Sequence, residues 1–508
     1  MTERLDLSTW ISKNAAFSPT KPATLFEDMQ LTYADLDQRI NSVAYLLQND
    51  CHIEIGDRVG LLAHNCVEYI TLLFACARLG AILTPMNWRL AVPELTYIAQ
   101  DAGLKVLFVE EAFQATVEPI QQELPDCQLV GFDFEPQRGQ MWTSLFRDEC
   151  PEAEGDGSLD APLLLPYTSG TTGRPKGALL TQSNLHWNSL NAVHMQSMSS
   201  EDHALTVLPL FHAGGLNNQS TPILYVGGTL SLHRRFDPTK TLQTIHGNRP
   251  TITCLVPAMM AACISSPLWE ETDFSNLRLN VTGSTLVPDH LSDRFREKGV
   301  TVVEMYGLTE TAPVSVYHRA DSDFSKRGST GLPGLHSEIR IVDLNGHNVP
   351  VHEKGEVLIK GPNVMSGYWQ NPGATKDAFD GDWFRTGDIG YQDGDGYLYI
   401  TDRRTNMIIS GSENIYAAEV ERVLYEHPAV AECALIGKPD PQWGEIPVAF
   451  VVVQPGEQLS TEHLKDFLKS KLARYKQPKA YEFIDDLPKN AMGKVLHYVL
   501  REQMAAGL

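Results

Sequence analysis

Residues 167–177, Tyr-Thr-Ser-Gly-Thr-Thr-Gly-Arg-Pro-Lys-Gly, bring glycines, hydroxyls and a cation together in one short stretch. Gly170, Gly173 and Gly177 permit tight backbone turns. Ser169, Thr171 and Thr172 add hydroxyl donors, and Lys176 adds a positive charge. Successive backbone N–H groups in such a loop form a concave nest that suits phosphate oxygens. Apolar residues Leu163–Leu165 precede the loop and Ala178–Leu180 follow it, so it connects two strands. In a Walker A loop the lysine directly follows a glycine and a Ser or Thr comes next. Here Arg174 and Pro175 intervene between Gly173 and Lys176, so this is a different phosphate loop.

Two further segments carry matching chemistry. Glu304-Met305-Tyr306-Gly307-Leu308-Thr309-Glu310-Thr311 follows a strand pattern. Tyr306 could stack on a base, Thr309 could hydrogen-bond a phosphate, and Glu310 could hold Mg²⁺, which prefers oxygen ligands. In Trp383-Phe384-Arg385-Thr386-Gly387-Asp388, the Asp388 carboxylate could accept hydrogen bonds from both ribose hydroxyls. Taken singly, these read as a polar loop and a turn. Together they answer one chemical problem. A carboxylate is a poor acyl donor, because its charge repels nucleophiles and oxide is a very bad leaving group. Moving AMP onto it removes both obstacles, and that requires MgATP beside the acid with a cation at the reacting oxygens.

The loop at 167–177 closely resembles the phosphate loop of the adenylate-forming enzymes, the superfamily of acyl-CoA synthetases, luciferases and peptide-synthetase adenylation domains. Glu304–Thr311 and Trp383–Asp388 match that family's next motifs in order. Thr401-Asp402-Arg403-Arg404-Thr405-Asn406-Met407 resembles its interdomain hinge, and Leu487–Lys494 its C-terminal catalytic motif. The resemblance implies that Thr168, Ser169, Gly170, Thr171, Thr172, Gly173 and Lys176 bind ATP, with Tyr306, Thr309, Asp388 and Arg403. It makes Glu310 the Mg²⁺ ligand. Val281–Thr285 looks like the segment lining adenine and acyl group, which adds Gly283, Ser284 and Thr285. Lys494 would bridge the acid's carboxylate and the α-phosphate, so Lys494, Thr168 and His212 are the expected catalytic residues. Thr405 and Asn406 depart from the usual hinge residues.

The acceptor is also marked. Ser410–Tyr416 resembles the loop lining the pantetheine tunnel of acyl-CoA synthetases, centred on Gly411, with Ser412 replacing a common Gly. Trp443, Tyr475, Lys476 and Lys479 resemble the CoA contacts of aryl-CoA ligases, holding the nucleotide by stacking and charge. The segment Leu208–Asn217 lacks the Asp with which a peptide-synthetase domain holds an amino group. Instead it resembles the CoA-ligase version, with His212, Gly283 and Gly307 around the acid. Trp187, Leu216, Pro257, Met259 and Met260 suggest an apolar acid, medium-chain fatty or aromatic. The expected activity is an AMP-forming carboxylic acid–CoA ligase using ATP, Mg²⁺ and CoA. The alternative is an enzyme that loads a carrier protein in trans, since the chain stops at Leu508 with no carrier domain.

The remaining chain must position these residues. Its 508 residues are 43% hydrophobic and 20% charged, a globular balance beyond a single core. A net charge of −22 argues against a nucleic-acid surface and a polybasic membrane anchor. Eight scattered cysteines without a C-x-x-C pair fit a reducing cytosol, and Met1–Asn14 lacks the apolar stretch of a secretion signal. The most apolar run, Tyr69–Met86, is broken by Arg78, Gly80 and Pro85, so it reads as a buried helix entering a buried strand, not a membrane span. A cytoplasmic protein is expected, and a homodimer is left open. Helix and strand patterns alternate from residue 32 to about 304, as in a parallel α/β sheet. Gly-punctuated hairpins follow from about 330, and a small α/β unit from about 405. The expected fold is therefore α/β: a large N-terminal domain, 1–402, of parallel and mixed sheets with helices plus a β-rich subdomain, and a small mobile C-terminal α/β domain, 403–508.

Overall fold

A computed structural model describes residues 5–505 apart from 133, 135, 137, 138, 143–150, 152, 154, 156, 169–174, 284–286, 322–324, 344, 404, 405, 411, 412, 442, 470, 473 and 490–494. At 402, 403, 409, 413 and 414 it describes the backbone. The chain divides into two compact units: residues 1–338 with 359–384, and residues 339–358 with 385–508.

Two large sheets organise the first unit. One runs 332–333, 316–317, 301–306, 279–283, 252–254, 203–206, 229–232, 22–26 and 29–32 in spatial order. Its central strands are parallel. The other runs 367–368, 176–181, 162–164, 82–85, 58–62, 104–109, 128–131 and 140–141, with Tyr167–Thr168 pairing on Lys176–Gly177. Leu205, Val207, Leu255, Trp269 and Phe295 fill a core against the first sheet, while Leu62, Ile82, Leu95 and Val109 fill one against the second. Each such buried aliphatic side chain stabilises by about 1.5–3 kcal/mol relative to exposure.

Local signals set the element ends. The helix Tyr33–Asn49 starts on Thr32, whose hydroxyl accepts from Asp35 N–H while Asp35 accepts from Thr32 N–H, a reciprocal cap. Tyr69–Met86 resolves into the helix Val67–Leu79, a left-handed Gly80 and the strand Ile82–Pro85, as its pattern predicts. No described helix is long and apolar enough to cross a membrane. Residues 216–225 do not form one plain α-helix. Ala213–Gly215 is one short turn, Leu216–Ser220 is a π-helical turn, and Thr221–Tyr225 returns to α-helix. A π turn inserts one residue per turn, commonly where function needs a side chain re-aimed.

The strands 338–342, 355–360, 383–392 and 398–403 form a sheet with most of its residues in the second unit. Asp393 closes the last hairpin, its Oδ1 accepting from Asp395 N–H and Tyr397 N–H. A second sheet, 413–415, 408–410, 444–453 and 430–440, with 480–483 on 444–453, packs against the helices Ala417–Tyr425 and Thr461–Lys469. Val420, Leu424, Leu435, Val451, Leu464 and Leu468 form its core.

Candidate active site

The phosphate loop is closed at its base by antiparallel pairing of Thr168 with Lys176 and Tyr167 with Gly177. Ser169, Gly170, Thr171, Thr172 and Gly173 lie outside the described residues. At the base, Thr168 Oγ1 lies 3.3 Å from Glu310 Oε1, and Tyr368 donates its hydroxyl to that same oxygen at 3.1 Å. Lys176 Nζ sits 5.3 Å from the centre of the Tyr368 ring, within reach of a cation–π attraction. Glu310 is only 7% exposed, and its Oε2 has no partner among the described residues. Two hydroxyls therefore aim one carboxylate oxygen and leave the other for a hard cation. No group of three or more metal-binding side chains occurs among the described residues. That donor set suits Mg²⁺ held by one carboxylate together with substrate phosphates.

Buried asparagines fix this corner. Helix Gln182–Gln196 carries Asn184, Asn188 and Asn191 on its buried side. Asn188 Oδ1 accepts from Val314 N–H at 2.8 Å, and Asn191 Nδ2 donates to Val314 O at 3.0 Å. Asn363, fully buried, donates to Thr311 O at 2.7 Å and reaches Ser315 Oγ at 3.0 Å. Met365 N–H donates to Glu310 O. Tyr368, Asn188, Asn191 and Asn363 were not foreseen from sequence. A signal was present, because asparagines at i, i+4 and i+7 on one helix face contradict an apolar core stripe.

Tyr306 ends the strand Thr301–Tyr306, Gly307 follows it, and Thr309 opens the short turn Thr309–Thr311. A Cβ at Gly307 would lie 1.6 Å from Pro313 O, so the backbone there closes to a distance only glycine allows. Gly283 pairs with Met305 on the neighbouring strand, while Ser284 and Thr285 fall outside the described residues. His212 caps Ala213–Gly215: its Nδ1 accepts from Gly214 N–H at 3.0 Å, which leaves the neutral ring's proton on Nε2. Buried Asn65 holds the approach, donating to Leu208 O and accepting from Leu210 N–H. Nearby, Arg89 lies over the rings of Trp88 and Phe211, its guanidinium held below its ordinary value by burial and by Arg235. Trp187 faces His336, and the two rings line an open cleft of about 440 Å³ with Leu335, Lys360 and Asp382.

In the second unit Asp388 stands opposite Arg403 across the hairpin. Thr386 donates to Val357 O and accepts from Asp388 N–H, which pins the buried Asp388 backbone. Gly411 is outside the described residues, but Ser410 pairs with Gly444, which sets Trp443 beside the strand leading into that loop. Trp443 and Tyr475 are 47% and 41% exposed. Lys479 N–H donates to Pro447 O on the strand that starts at Gly444, so Lys479 shares that strand's end of the sheet. Lys476 differs from its neighbours: Glu419 holds it at 2.5 Å and Lys354 at 3.3 Å. Thr405 and Lys494 lie outside the described residues.

The AMP-binding enzyme family matches residues 11–369, and the C-terminal domain of the same enzymes matches residues 419–494. The chain belongs to the AMP-binding, adenylate-forming enzymes. Among its relatives is the indoleacetate–CoA ligase of Aromatoleum aromaticum, 43% identical over 99% of this chain and 98% of that one. Feruloyl-CoA synthase of Amycolatopsis sp. is 40% identical over 98% of this AMP-binding enzyme and 99% of the relative. Among solved structures, the anthranilate CoA ligase AuaEII in complex with anthranoyl-AMP superposes with a TM-score of 0.92. It covers 100% of this chain and 99% of the other at 29% identity. This AMP-binding enzyme therefore sits among acid–CoA ligases, and the mixed α/β fold is theirs.

Proposed function

We propose that the protein is an AMP-forming acid–CoA ligase for an aromatic carboxylic acid. Acid and ATP give acyl-AMP and pyrophosphate, and acyl-AMP and CoA then give the thioester and AMP. The observation that carries the reading is the buried Glu310 carboxylate, steered by Thr168 and Tyr368 beside Lys176. An aromatic acid is favoured over a fatty one because relatives named for indoleacetate and ferulate are 43% and 40% identical, against 36% for one named for long-chain fatty acids.

Thr168, Lys176, Thr309 and the glycine loop would hold the ATP phosphates, with Tyr306 on the base and Asp388 on the ribose. Glu310 would hold Mg²⁺, which supplies charge neutralisation at the phosphates. Lys494 would place its ammonium between the carboxylate oxygen that attacks and the α-phosphate that receives it, stabilising the negative charge that develops there. His212, with Gly283 and Gly307, would confine the acid beside that point. For the second step, residues 403–508 would turn about Thr405, withdrawing Lys494 and presenting the Gly411 loop. Trp443, Tyr475 and Lys479 would hold the CoA nucleotide. Lys476 contributes less, because Glu419 already neutralises it.

The test is AMP release over a panel of carboxylic acids, with and without CoA. Release that requires CoA and an aromatic acid is the expected result. Turnover indifferent to CoA would overturn the reading in favour of loading a carrier protein, and a preference for fatty acids would overturn the aromatic assignment.

A further inference from the structure

The helix Val92–Ala102 carries Asp101 in its last turn. A carboxylate there faces the negative end of the helix dipole, so helix stability does not select it. Arg58 relieves the helix end itself, its guanidinium donating to Ala102 O and Gly103 O, each at 2.7 Å. The Asp101 carboxylate is turned to other partners, and one comes from the phosphate loop. Tyr167 donates its hydroxyl to Asp101 Oδ2 at 2.6 Å, and Tyr97, one turn back on the helix, donates to Oδ1 at 3.4 Å. Burial, and then Asp101 itself, push the Tyr167 phenol up, so the proton of the shorter bond stays on the tyrosine. A hydroxyl this close to a carboxylate makes a charge-assisted bond, stronger than a neutral pair.

Tyr167 directly precedes Thr168, and its ring lies across the base of the loop. A Cβ on Gly177 would come within 3.1 Å of Tyr167 Cζ and 2.8 Å of Leu165 Cδ1, so the ring fills the space that glycine leaves. The same helix end holds the loop's other neighbour. Trp369 donates its indole N–H to Asp101 O at 3.0 Å and its backbone N–H to Gly177 O at 2.8 Å. The Arg58 guanidinium lies 5.6 Å from the centre of that indole. Tyr368, adjacent in the chain, gives its hydroxyl to Glu310 and its ring face to Lys176. Asp101 is thus tied on one side to the residue before Thr168 and on the other to the residue after Tyr368. Both hydroxyls that aim Glu310 trace back, one residue removed, to this aspartate.

We infer that Asp101 is a positioning residue for the phosphate loop, holding Tyr167 and Trp369 so that the Thr168 and Tyr368 hydroxyls converge on Glu310 beside Lys176. This rests on the acid–CoA ligase reading of the site. Pyrophosphate leaves after the first step, so only adenylation should need the brace. The experiment compares Asp101→Ala, Asp101→Asn and Tyr167→Phe with wild type, using an acid that the wild type activates. Pyrophosphate release reports the first step, and thioester formation from preformed acyl-AMP reports the second. In Asp101→Ala and Tyr167→Phe, kcat/KM for ATP in adenylation should fall roughly 10-fold, the worth of a hydrogen bond to a charged group. The KM for the acid and the thioester step should stay within about twofold of wild type. Asp101→Asn keeps an acceptor for Tyr167 and should stay within roughly threefold. Asp101→Ala with Tyr167→Phe should lose no more than the worse single variant, because both changes remove one bond. Losses that multiply in the double variant, equal loss in both half-reactions, an Asp101→Asn loss as large as that of Asp101→Ala, or full adenylation in the single variants would each overturn the inference. If Asp101→Ala does not fold, Tyr167→Phe, which removes one oxygen, decides by the same split between half-reactions. Undiminished variants of an active wild type sink this inference alone, whereas no turnover of the wild type with any acid sinks the ligase reading.

Discussion

The two regions assigned to substrate handling are built on opposite principles. The Glu310 corner of the first unit is buried, with one carboxylate oxygen held by two hydroxyls and the backbone around it held by fixed asparagines. In the second unit, Trp443 and Tyr475 are nearly half exposed and Lys479 is exposed. In the proposed reaction the first region would orient a reacting group before substrate arrives, which lowers the barrier for chemistry. The second would offer area and charge to a large, flexible molecule and be free to let it go. Loss of a group from the buried corner should therefore reduce kcat, while loss from the exposed surface should raise a KM.

The largest effect tests that division directly. Glu310→Gln keeps the shape and removes the charge, so adenylation should fall by about 10²–10³-fold in kcat. Thioester formation from preformed acyl-AMP should be nearly unchanged. Lys494→Ala should behave in the same way, and equal loss in both half-reactions would refute the proposed exchange of Lys494 for the Gly411 loop. A step smaller is Asn363→Ala, which strips the donors from Thr311 O and Ser315 Oγ. Leaving such groups unpaired should cost about 1–3 kcal/mol of stability by denaturant unfolding, with a reduced kcat and a near-normal KM for CoA. A stable Asn363→Ala enzyme with full activity would mean that the corner does not depend on its buried supports.

On the exposed side, Trp443→Ala should raise the KM for CoA by about 5- to 50-fold, the worth of one base stacked on an aromatic ring. Acyl-AMP formation and protein stability should hold. A matching fall in adenylation would break the contrast, because it would tie an exposed residue to the buried chemistry.

What could be read in the sequence follows the same line. Thr32 capping its helix, Gly80 ending Val67–Leu79 and Asp393 closing a hairpin are local, decided within a few residues by hydrogen bonds and backbone freedom. The Glu310 and Asp388 motifs stand out in the sequence because residue type and spacing suggest a chemistry. The supports of Glu310 do not. Thr168 and Tyr368 come from 142 and 58 residues away, and Asn363 reaches Thr311 over 52. Only the tertiary fold places them, and an asparagine alone announces no partner. The π-helical turn at Leu216–Ser220 was hidden for a related reason: its apolar neighbours fit helical spacing, and one extra residue per turn leaves no mark in composition.

The smallest expected effect asks whether burial that organises this corner also carries a cost. Glu304 lies on the strand that delivers Tyr306 and Glu310, and its carboxyl is pushed up to about 7, mainly by burial and further by Asp289, with Arg296 opposing. A carboxyl whose folded value exceeds its unfolded value binds its proton more tightly when folded. Its contribution to stability is thus fully present below the ordinary value near 4.5 and is lost as pH rises through about 7. Glu304→Gln removes this titration. The variant should be more stable than wild type by about 1–2 kcal/mol at pH 8 and equal to it near pH 4, read from urea midpoints at the two pH values. A gain of the same size at both pH values would trace the effect to packing instead of charge.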